Sequence, residues 1–574
     1  MNASDNNTQL ARAAFLRAFA RFKGLFGEAA VASVLINVMA LLTSLFSMQV
    51  FDRVLPNHAT STLWVLFAGL AVAIGFEALL RTVRARVTDA AGKRMELELS
   101  QIFFEKAMDI RMDARPRTVG TFASQVKDFD VVKSFLTSTT LFVLADAPFA
   151  LLFLGVIALL GGWVVVVPML MLPLVLLVAW WVQKPLGELT ELHSRESSIK
   201  TGMLIEAIDG AESIKAAGGR DGFAKRWAEL SALVGEVGLR TRHYSNLAST
   251  LGNALQQLAY AGTVVAGVYQ VAGGNMTQGA IVACSILVGR VLSPMSQLTG
   301  LAVSWHHAKA ALRGLDDLMS RPNDGESSLI AVRLDNVKPA LRLESVKHTY
   351  DQNGVTAMDV PAVEIAPGEK VGIIGPSGSG KSTLLKLLSG LYKPAQGRVF
   401  LSGVDLHLME PAQVRDTIAY LPQDVRLFNG SLRDNLVMGM EHMSDSDVME
   451  MCEVTGLTGL VQSHPRGVAL EISEGGRGLS GGQRQLVGLT RTLSTQAPVL
   501  LMDEPTASLD PQNELRLINR LKTFFKAEQT VVMVTHKPAL LALVDRIIVV
   551  DRGCVIADGP KEKILQTMRE GKVA

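Results

Sequence analysis

The chain has 574 residues, with 56 Lys and Arg against 54 Asp and Glu, and this formal charge of +2 argues against a strongly basic nucleic-acid binder or an acidic tail protein. Only 19% of residues are charged, 48% are hydrophobic and 6% aromatic, and the mean hydropathy is +0.27, so part of the chain belongs in lipid. Three cysteines, Cys284, Cys452 and Cys554, are too few and too scattered for a disulfide framework or a paired-thiolate metal site.

Residues 1–30 read as an amphipathic helix. Phe15, Phe19, Phe22 and Phe26 repeat at helical spacing with Arg12, Arg17, Arg21 and Lys23 between them, which suits the inner-leaflet interface or, alternatively, a stripe packed on protein. Residues 31–320 form a helical transmembrane domain. Its apolar runs match a hydrocarbon core of about 30 Å at about 1.5 Å per residue. Residues 31–51 carry no charge, 63–76 carry none, 141–183 carry only Asp146, and 251–289 carry none. The third run is long enough for two spans turning at Gly161 and Gly162, and the polar break at 271–279 divides the fourth, giving six spans. Asp146 in span three and Arg290 in span six lie toward the cytoplasmic ends, where they pair with each other or reach headgroups.

Lys and Arg set the orientation, because positive loops stay cytoplasmic. Residues 81–133 hold eleven and 184–242 hold nine, whereas the three opposite loops share one, Arg53. Both termini and both basic loops are therefore placed in the cytosol. Helical apolar spacing in these loops predicts that the middle spans continue well beyond the membrane.

A polar linker covers 321–335, and 336–574 alternate short β-branched runs with helical patterns, as in an α/β domain on a largely parallel sheet. The strand VGIIG (371–375) runs into GPSGSGKST, namely Gly375, Pro376, Ser377, Gly378, Ser379, Gly380, Lys381, Ser382 and Thr383. This is the phosphate-loop pattern in its strand-loop-helix context. Its glycines let successive N–H groups face phosphate oxygens at a helix N-terminus. Lys381 reaches the β- and γ-phosphates and Ser382 can hold Mg²⁺. The buried strand VLLMD (499–503) ends in Asp503, suited to Mg²⁺, and Glu504 follows as the candidate general base for an attacking water. His536, at the end of the strand TVVMVTH (530–536), can contact the γ-phosphate.

In this order the elements resemble the nucleotide-binding domain of ATP-binding cassette transporters. LSGGQ, at Leu479, Ser480, Gly481, Gly482 and Gln483, separates that family from other phosphate-loop ATPases and stands here unaltered. The resemblance implies a P-loop ATPase that uses ATP and Mg²⁺. It implies Tyr350 as the aromatic that stacks on adenine, Gln423 as the glutamine that senses Mg²⁺, Asp510 as a residue of the loop crossing a dimer interface, and His536 as a switch histidine. It also implies that ATP is sandwiched between two cassettes. Ser480, Gly481, Gly482 and Gln483 would then complete the site of a second copy in a homodimer of twelve spans.

Spans before cassette and long cytosolic loops fit the exporter class. EGGRG (474–478) is similar to the exporter loop that touches the docking helices. MQVFDRVLPN (48–57) and EAIDGAESIKAAGG (206–219) resemble the permease/ATPase of bacterial type I secretion systems, in the short form without an N-terminal peptidase-like domain. That resemblance implies export of an unfolded polypeptide across the bacterial inner membrane, with a periplasmic adaptor protein and an outer-membrane channel as partners, in contact with membrane lipids and without nucleic acid. The competing reading is a lipid or small-molecule exporter, which would share every cassette motif.

Overall fold

A computed structural model describes residues 10–116, 118–137, 146, 148–296, 298–324, 332–335, 337–350, 356–440 and 442–570. Its residues group into two units. One comprises 1–109 with 116–321, and the other 110–115 with 322–574.

The first unit is helical. Three of its stretches, Lys23–Val54, Thr60–Asp109 and Phe149–Asp209, are long and apolar enough to cross a membrane. The third breaks at Gly162, whose φ of +56° suits a residue without Cβ, and so it holds the helices Phe149–Gly161 and Val166–Asp209. The expected fifth span lies in the helix Arg220–Ala272. It does not stand out by apolarity because Asn253, Gln256 and Gln257 dilute its C-terminal part. The sixth begins at Gln278, where the apolar helix Gln278–Ser293 is short. Residues 141–145 of the third expected span lie outside the described residues. The 50-residue helix Thr60–Asp109 is about 75 Å long at 1.5 Å per residue, more than twice a hydrocarbon core. The chain therefore continues as helix outside lipid, as the basic loops predicted.

Two alternatives that the sequence leaves open are narrowed by the packing. Of the N-terminal aromatic stripe, Phe15 packs on protein: it is buried with its ring 5.8 Å from that of Phe103, Ala11 and Ala18 are buried beside it, and the Ala11 N–H donates to Asp316 Oδ1 at 3.0 Å, while Phe19, Phe22 and Phe26 are half-buried and Phe19 stacks on Phe26 at 4.6 Å. Asp146 does not meet Arg290. Its Oδ1 accepts from Asn37 Nδ2 at 2.8 Å and lies 3.7 Å from Arg84 Nη1, because the helix Lys23–Gln49 packs along Thr60–Asp109 and brings both residues to it. At the other end of the spans, Asp52 sits in a single π-helical turn, Val50–Val54. It accepts from the Thr277 hydroxyl and the Gly279 N–H, both at 2.7 Å, tying the C-terminal end of the helix Lys23–Gln49 to the start of Gln278–Ser296.

The second unit is the α/β domain. Its strands are β1 (Leu341–Thr349), β2 (Thr356–Ile365), β3 (Lys370–Ile374), β4 (Gln396–Leu401), β5 (Val404–Asp405), β6 (Ile418–Leu421), β7 (Gly430–Ser431), β8 (Glu471–Ile472), β9 (Val499–Asp503), β10 (Thr530–Val534), β11 (Arg546–Asp551) and β12 (Cys554–Pro560). Among the described residues, the main sheet has the order β12-β11-β3-β10-β9-β6 and is parallel from β11 to β6. Every residue of β9 and β10 is buried, which explains their unbroken apolar runs. The sheet β2-β1-β4-β5 stacks on it through one core that includes Leu343, Val371, Leu384 and Leu501. A separate cluster, with Leu432, Val448, Cys452 and Val487, holds the helical portion between β6 and β9. The segment Ile110–Arg115, from the loop after span two, belongs to this unit, where the Arg111 N–H donates to the Pro322 carbonyl at 3.1 Å.

Candidate functional site

Parallel strands place their C-terminal ends on one edge of a sheet, where α/β proteins bind ligands. Here β3, β10, β9 and β6 are neighbours, so the residues that follow them converge: Gly375 to Thr383 after β3, His536 after β10, Asp503 and Glu504 at the end of β9, and Gln423 after β6.

The loop after β3 is held by backbone geometry. Gly375 has φ +153°, and a Cβ there would collide with the Val550 carbonyl oxygen, while Gly378 at φ +79° turns the exposed apex formed with Pro376 and Ser377. Gly380 caps the helix Lys381–Leu388 in the left-handed region. The Lys381 side chain folds back over this loop, donating to the carbonyls of Gly375 at 2.9 Å and Pro376 at 2.6 Å. Burial lowers its pKa, while the carboxylates of Glu504 and Asp503 oppose that shift. The Ser379 hydroxyl is buried in the same loop without a hydrogen-bond partner.

Asp503 is 2% exposed, and burial raises its pKa even though the Ser382 hydroxyl hydrogen-bonds to it. Its Oδ1 is buried with no hydrogen-bond partner. An orphaned carboxylate oxygen beside a hydroxyl fits Mg²⁺, which takes one or two carboxylates plus phosphates and water rather than a protein cage. Consistent with that, no cluster of three His, Cys, Asp or Glu suited to a metal occurs among the described residues. Glu504 has φ +46°, its N–H donates to the Val534 carbonyl at 3.0 Å, and its Oε1 lies 3.5 Å from His536 Nε2.

Tyr350 is exposed beside this loop. Its hydroxyl lies 2.7 Å from Thr383 Oγ1 and its ring meets those of His348 and Tyr392 edge-on at 5.3 and 5.9 Å. Gln423 is exposed two residues beyond β6.

The LSGGQ segment forms a different local structure. Ser480 caps the helix Gly481–Ser494 in a capping box: the Gln483 N–H donates to Ser480 Oγ at 3.2 Å, and the Ser480 N–H donates to Gln483 Oε1 at 2.8 Å. Gly481 and Gly482 press on Ser508 and Leu509, where a Cβ at Gly482 would stand 3.0 Å from the Ser508 carbonyl oxygen. Asp510 caps the next helix, Pro511–Phe524, accepting from the backbone of Asn513 at 3.0 Å and Gln512 at 3.1 Å, and bonds from Asn513 lower its pKa. Among the described residues, no hydrogen bond of Ser480 to Gln483 reaches the loop after β3.

Residues 26–295 match the ABC transporter transmembrane region and residues 359–507 match the ABC transporter family. The chain belongs to the ABC transporters. The ABC transporter described here is thus an ATP-binding membrane protein and an ATPase. It is similar to the cyclolysin secretion/processing ATP-binding protein CyaB of Bordetella pertussis, with 28% identity over 96% of this chain and 77% of that protein. It is also similar to the leukotoxin translocation ATP-binding protein LktB of Mannheimia haemolytica, with 27% identity over 96% of this chain and 78% of that protein. A solved bacterial Atm1-family ABC exporter with ATP bound superposes with a TM-score of 0.85 over 97% of this chain and 99% of that one; at 20% identity it shows the shared fold.

In this ABC transporter, several residues at the site carry no motif that the sequence reading used. Tyr392 stacks on His348 at 5.4 Å and braces Tyr350. Gln485 Nε2 donates to the Glu504 carbonyl at 3.2 Å. Lys537 donates to the Thr506 carbonyl at 2.7 Å and lies 3.3 Å from Glu514, which itself accepts from the Thr506 hydroxyl at 2.5 Å. Lys537 follows His536 directly, and that adjacency was the one available signal.

Proposed function

We propose that this ABC transporter exports an unfolded polypeptide across the bacterial inner membrane as the permease and ATPase of a type I secretion system. The observation that carries the substrate class is similarity over 96% of the chain to proteins named for cyclolysin secretion and leukotoxin translocation. A periplasmic adaptor and an outer-membrane channel are the partners this reading requires.

The convergence of four strand ends supports the division of labour at the site. The loop from Gly375 to Thr383 cradles phosphates, with Lys381 released from its own carbonyls to the β- and γ-phosphates. Tyr350 offers its exposed ring to adenine. Ser382, Asp503 and, from the edge of the sheet, Gln423 would hold Mg²⁺, which would offset negative charge on the phosphates. Glu504 accepts a proton from water as the water oxygen bonds to the γ-phosphorus and the bond to the β,γ-bridging oxygen breaks, leaving ADP and phosphate. His536, 3.5 Å from Glu504, holds that carboxylate toward the γ-phosphate.

The family resemblance supports a homodimer in which Ser480, Gly481, Gly482, Gln483 and Asp510 complete the site of a second copy. The Ser480 cap and helix dipole then face the γ-phosphate. Mixed dimers of Lys381→Ala and Ser480→Arg chains would contain one intact composite site, and ATP binding no better than in either variant alone would sink this arrangement. Glu504→Gln is expected to bind ATP but turn it over at least about 10²-fold more slowly. Reconstituted vesicles decide the cargo: ATPase stimulation by an unfolded secreted polypeptide supports the proposal, whereas stimulation only by lipids or small amphiphiles replaces it with the competing exporter reading.

A further inference from the structure

Glu504 holds a backbone conformation that its residue type resists. Its φ of +46° is left-handed without the freedom of glycine. Pro505 follows, so the peptide after Glu504 has no N–H, and the proline ring further restricts the residue before it. Strained positions of this kind persist where surrounding groups over-determine them.

Three hydrogen bonds do so, one of them from the Ala507 N–H to the Glu504 carbonyl at 3.1 Å within the turn that follows. The Glu504 N–H donates to the Val534 carbonyl at 3.0 Å, a backbone bond to the end of β10. The Glu504 carbonyl accepts from Gln485 Nε2 at 3.2 Å, the one side-chain hydrogen bond to the Glu504 backbone among the described residues. Gln485 is 4% exposed and lies one turn into the helix Gly481–Ser494, which Ser480 caps. That helix is anchored at both levels, Val487 in the cluster of the helical portion and Leu489 and Leu493 in the cluster under the main sheet. A displacement at its N-terminus therefore reaches the Glu504 peptide through this buried amide, beside the contacts of Gly481 and Gly482 with Ser508 and Leu509.

We propose that Gln485 is a positioning residue for ATP hydrolysis. It fixes the peptide plane after Glu504, aims the carboxylate at the attacking water, and makes that aim depend on the helix that begins with LSGGQ. The inference rests on the reading of Glu504 as general base and of Ser480 as a contact to the nucleotide of a second copy. A buried amide kept only to satisfy a carbonyl would affect stability, whereas a positioning amide affects turnover with ATP binding preserved.

The experiment uses the full-length transporter in lipid nanodiscs, with kcat, KM for ATP and Tm measured for each variant. Gln485→Met keeps the volume without the donor, and Gln485→Glu keeps the shape but sets an oxygen against the carbonyl. Both are expected to lower kcat at least tenfold with KM within twofold of wild type and Tm within a few degrees. In a Glu504→Gln background, adding Gln485→Met is expected to leave the residual rate unchanged, because the aimed carboxylate is already gone. Wild-type kcat in Gln485→Met, a kcat loss that merely tracks a fall in Tm, or a double variant slower by the product of the two effects would each overturn the proposal. If Glu504→Gln itself turns over ATP normally, the assignment of the base fails and this inference falls with it. If Glu504→Gln is inactive and Gln485→Met is not, this inference fails alone.

Discussion

The two units of the chain use polar residues in opposite ways. In the cassette, Lys381, Asp503, Glu504 and His536 each follow a buried strand, and their neighbours in space are set by strand order in one parallel sheet. In the membrane unit, polar residues meet across helices with no local pattern, as Asp146 meets Asn37 and Arg84 from positions 109 and 62 residues away in sequence. A strand end points a short motif at a common edge, while a long helix leaves the choice of partner to the packing of its neighbours.

That contrast can be broken at several points. The largest effect is expected at the strand ends: Lys381→Ala should lower ATPase turnover by at least about 10²-fold, since a charge aimed at the phosphates is lost, and an assay of phosphate release checks it. Turnover near wild type would mean that the convergence of these loops is not the catalytic arrangement.

The membrane unit should respond in folding rather than chemistry. Asp146→Arg is expected to reduce the yield of folded transporter, and adding Arg84→Asp should restore it, whereas adding Arg290→Asp should not. Size-exclusion chromatography of detergent-extracted protein reads this out. Rescue by Arg290→Asp alone would restore the pairing that the sequence suggested. Phe15→Ala, which empties a buried ring site against Phe103, should cost about 3 kcal/mol. Leu16→Ala, at an exposed neighbour, should cost little, and a thermal-shift comparison of the two distinguishes protein packing from a lipid-facing stripe.

The smallest effect lies in the cassette and depends on pH. Burial lowers the pKa of His407 from 6.5 to about 4. Between these values the unfolded chain binds a proton that the folded chain does not, so stability rises with pH across this window and is lost as pH falls from about 6.5 toward 4. Between pH 7 and pH 5 the loss from this group is on the order of 2 kcal/mol. Melting His407→Gln beside wild type over that range should flatten the dependence, and an unchanged slope would show that other groups control it.

Much of the site was legible because the phosphate loop, the VLLMDE strand end and LSGGQ combine local backbone demands with contiguous residues. Gln485, Tyr392 and Lys537 were not, since each acts through hydrogen bonds or ring contacts to residues distant in sequence, and apart from the adjacency of Lys537 to His536 nothing in their spacing points to those partners. The same limit explains the N-terminal helix. The spacing of Phe15, Phe19, Phe22 and Phe26 declares an apolar face but cannot say whether lipid or Phe103 covers it.

By itself the sequence determined two unlike halves, the placement of its basic loops between apolar runs, and the identity of an ATP-binding cassette, because hydropathy, charge and phosphate-loop chemistry are properties of neighbouring residues. Only the tertiary structure decided which helices share Asp146, what buries Phe15, and which side chain holds the strained Glu504 peptide. Those choices depend on packing between segments tens to hundreds of residues apart, where side chains that sequence alone leaves independent come within hydrogen-bonding distance.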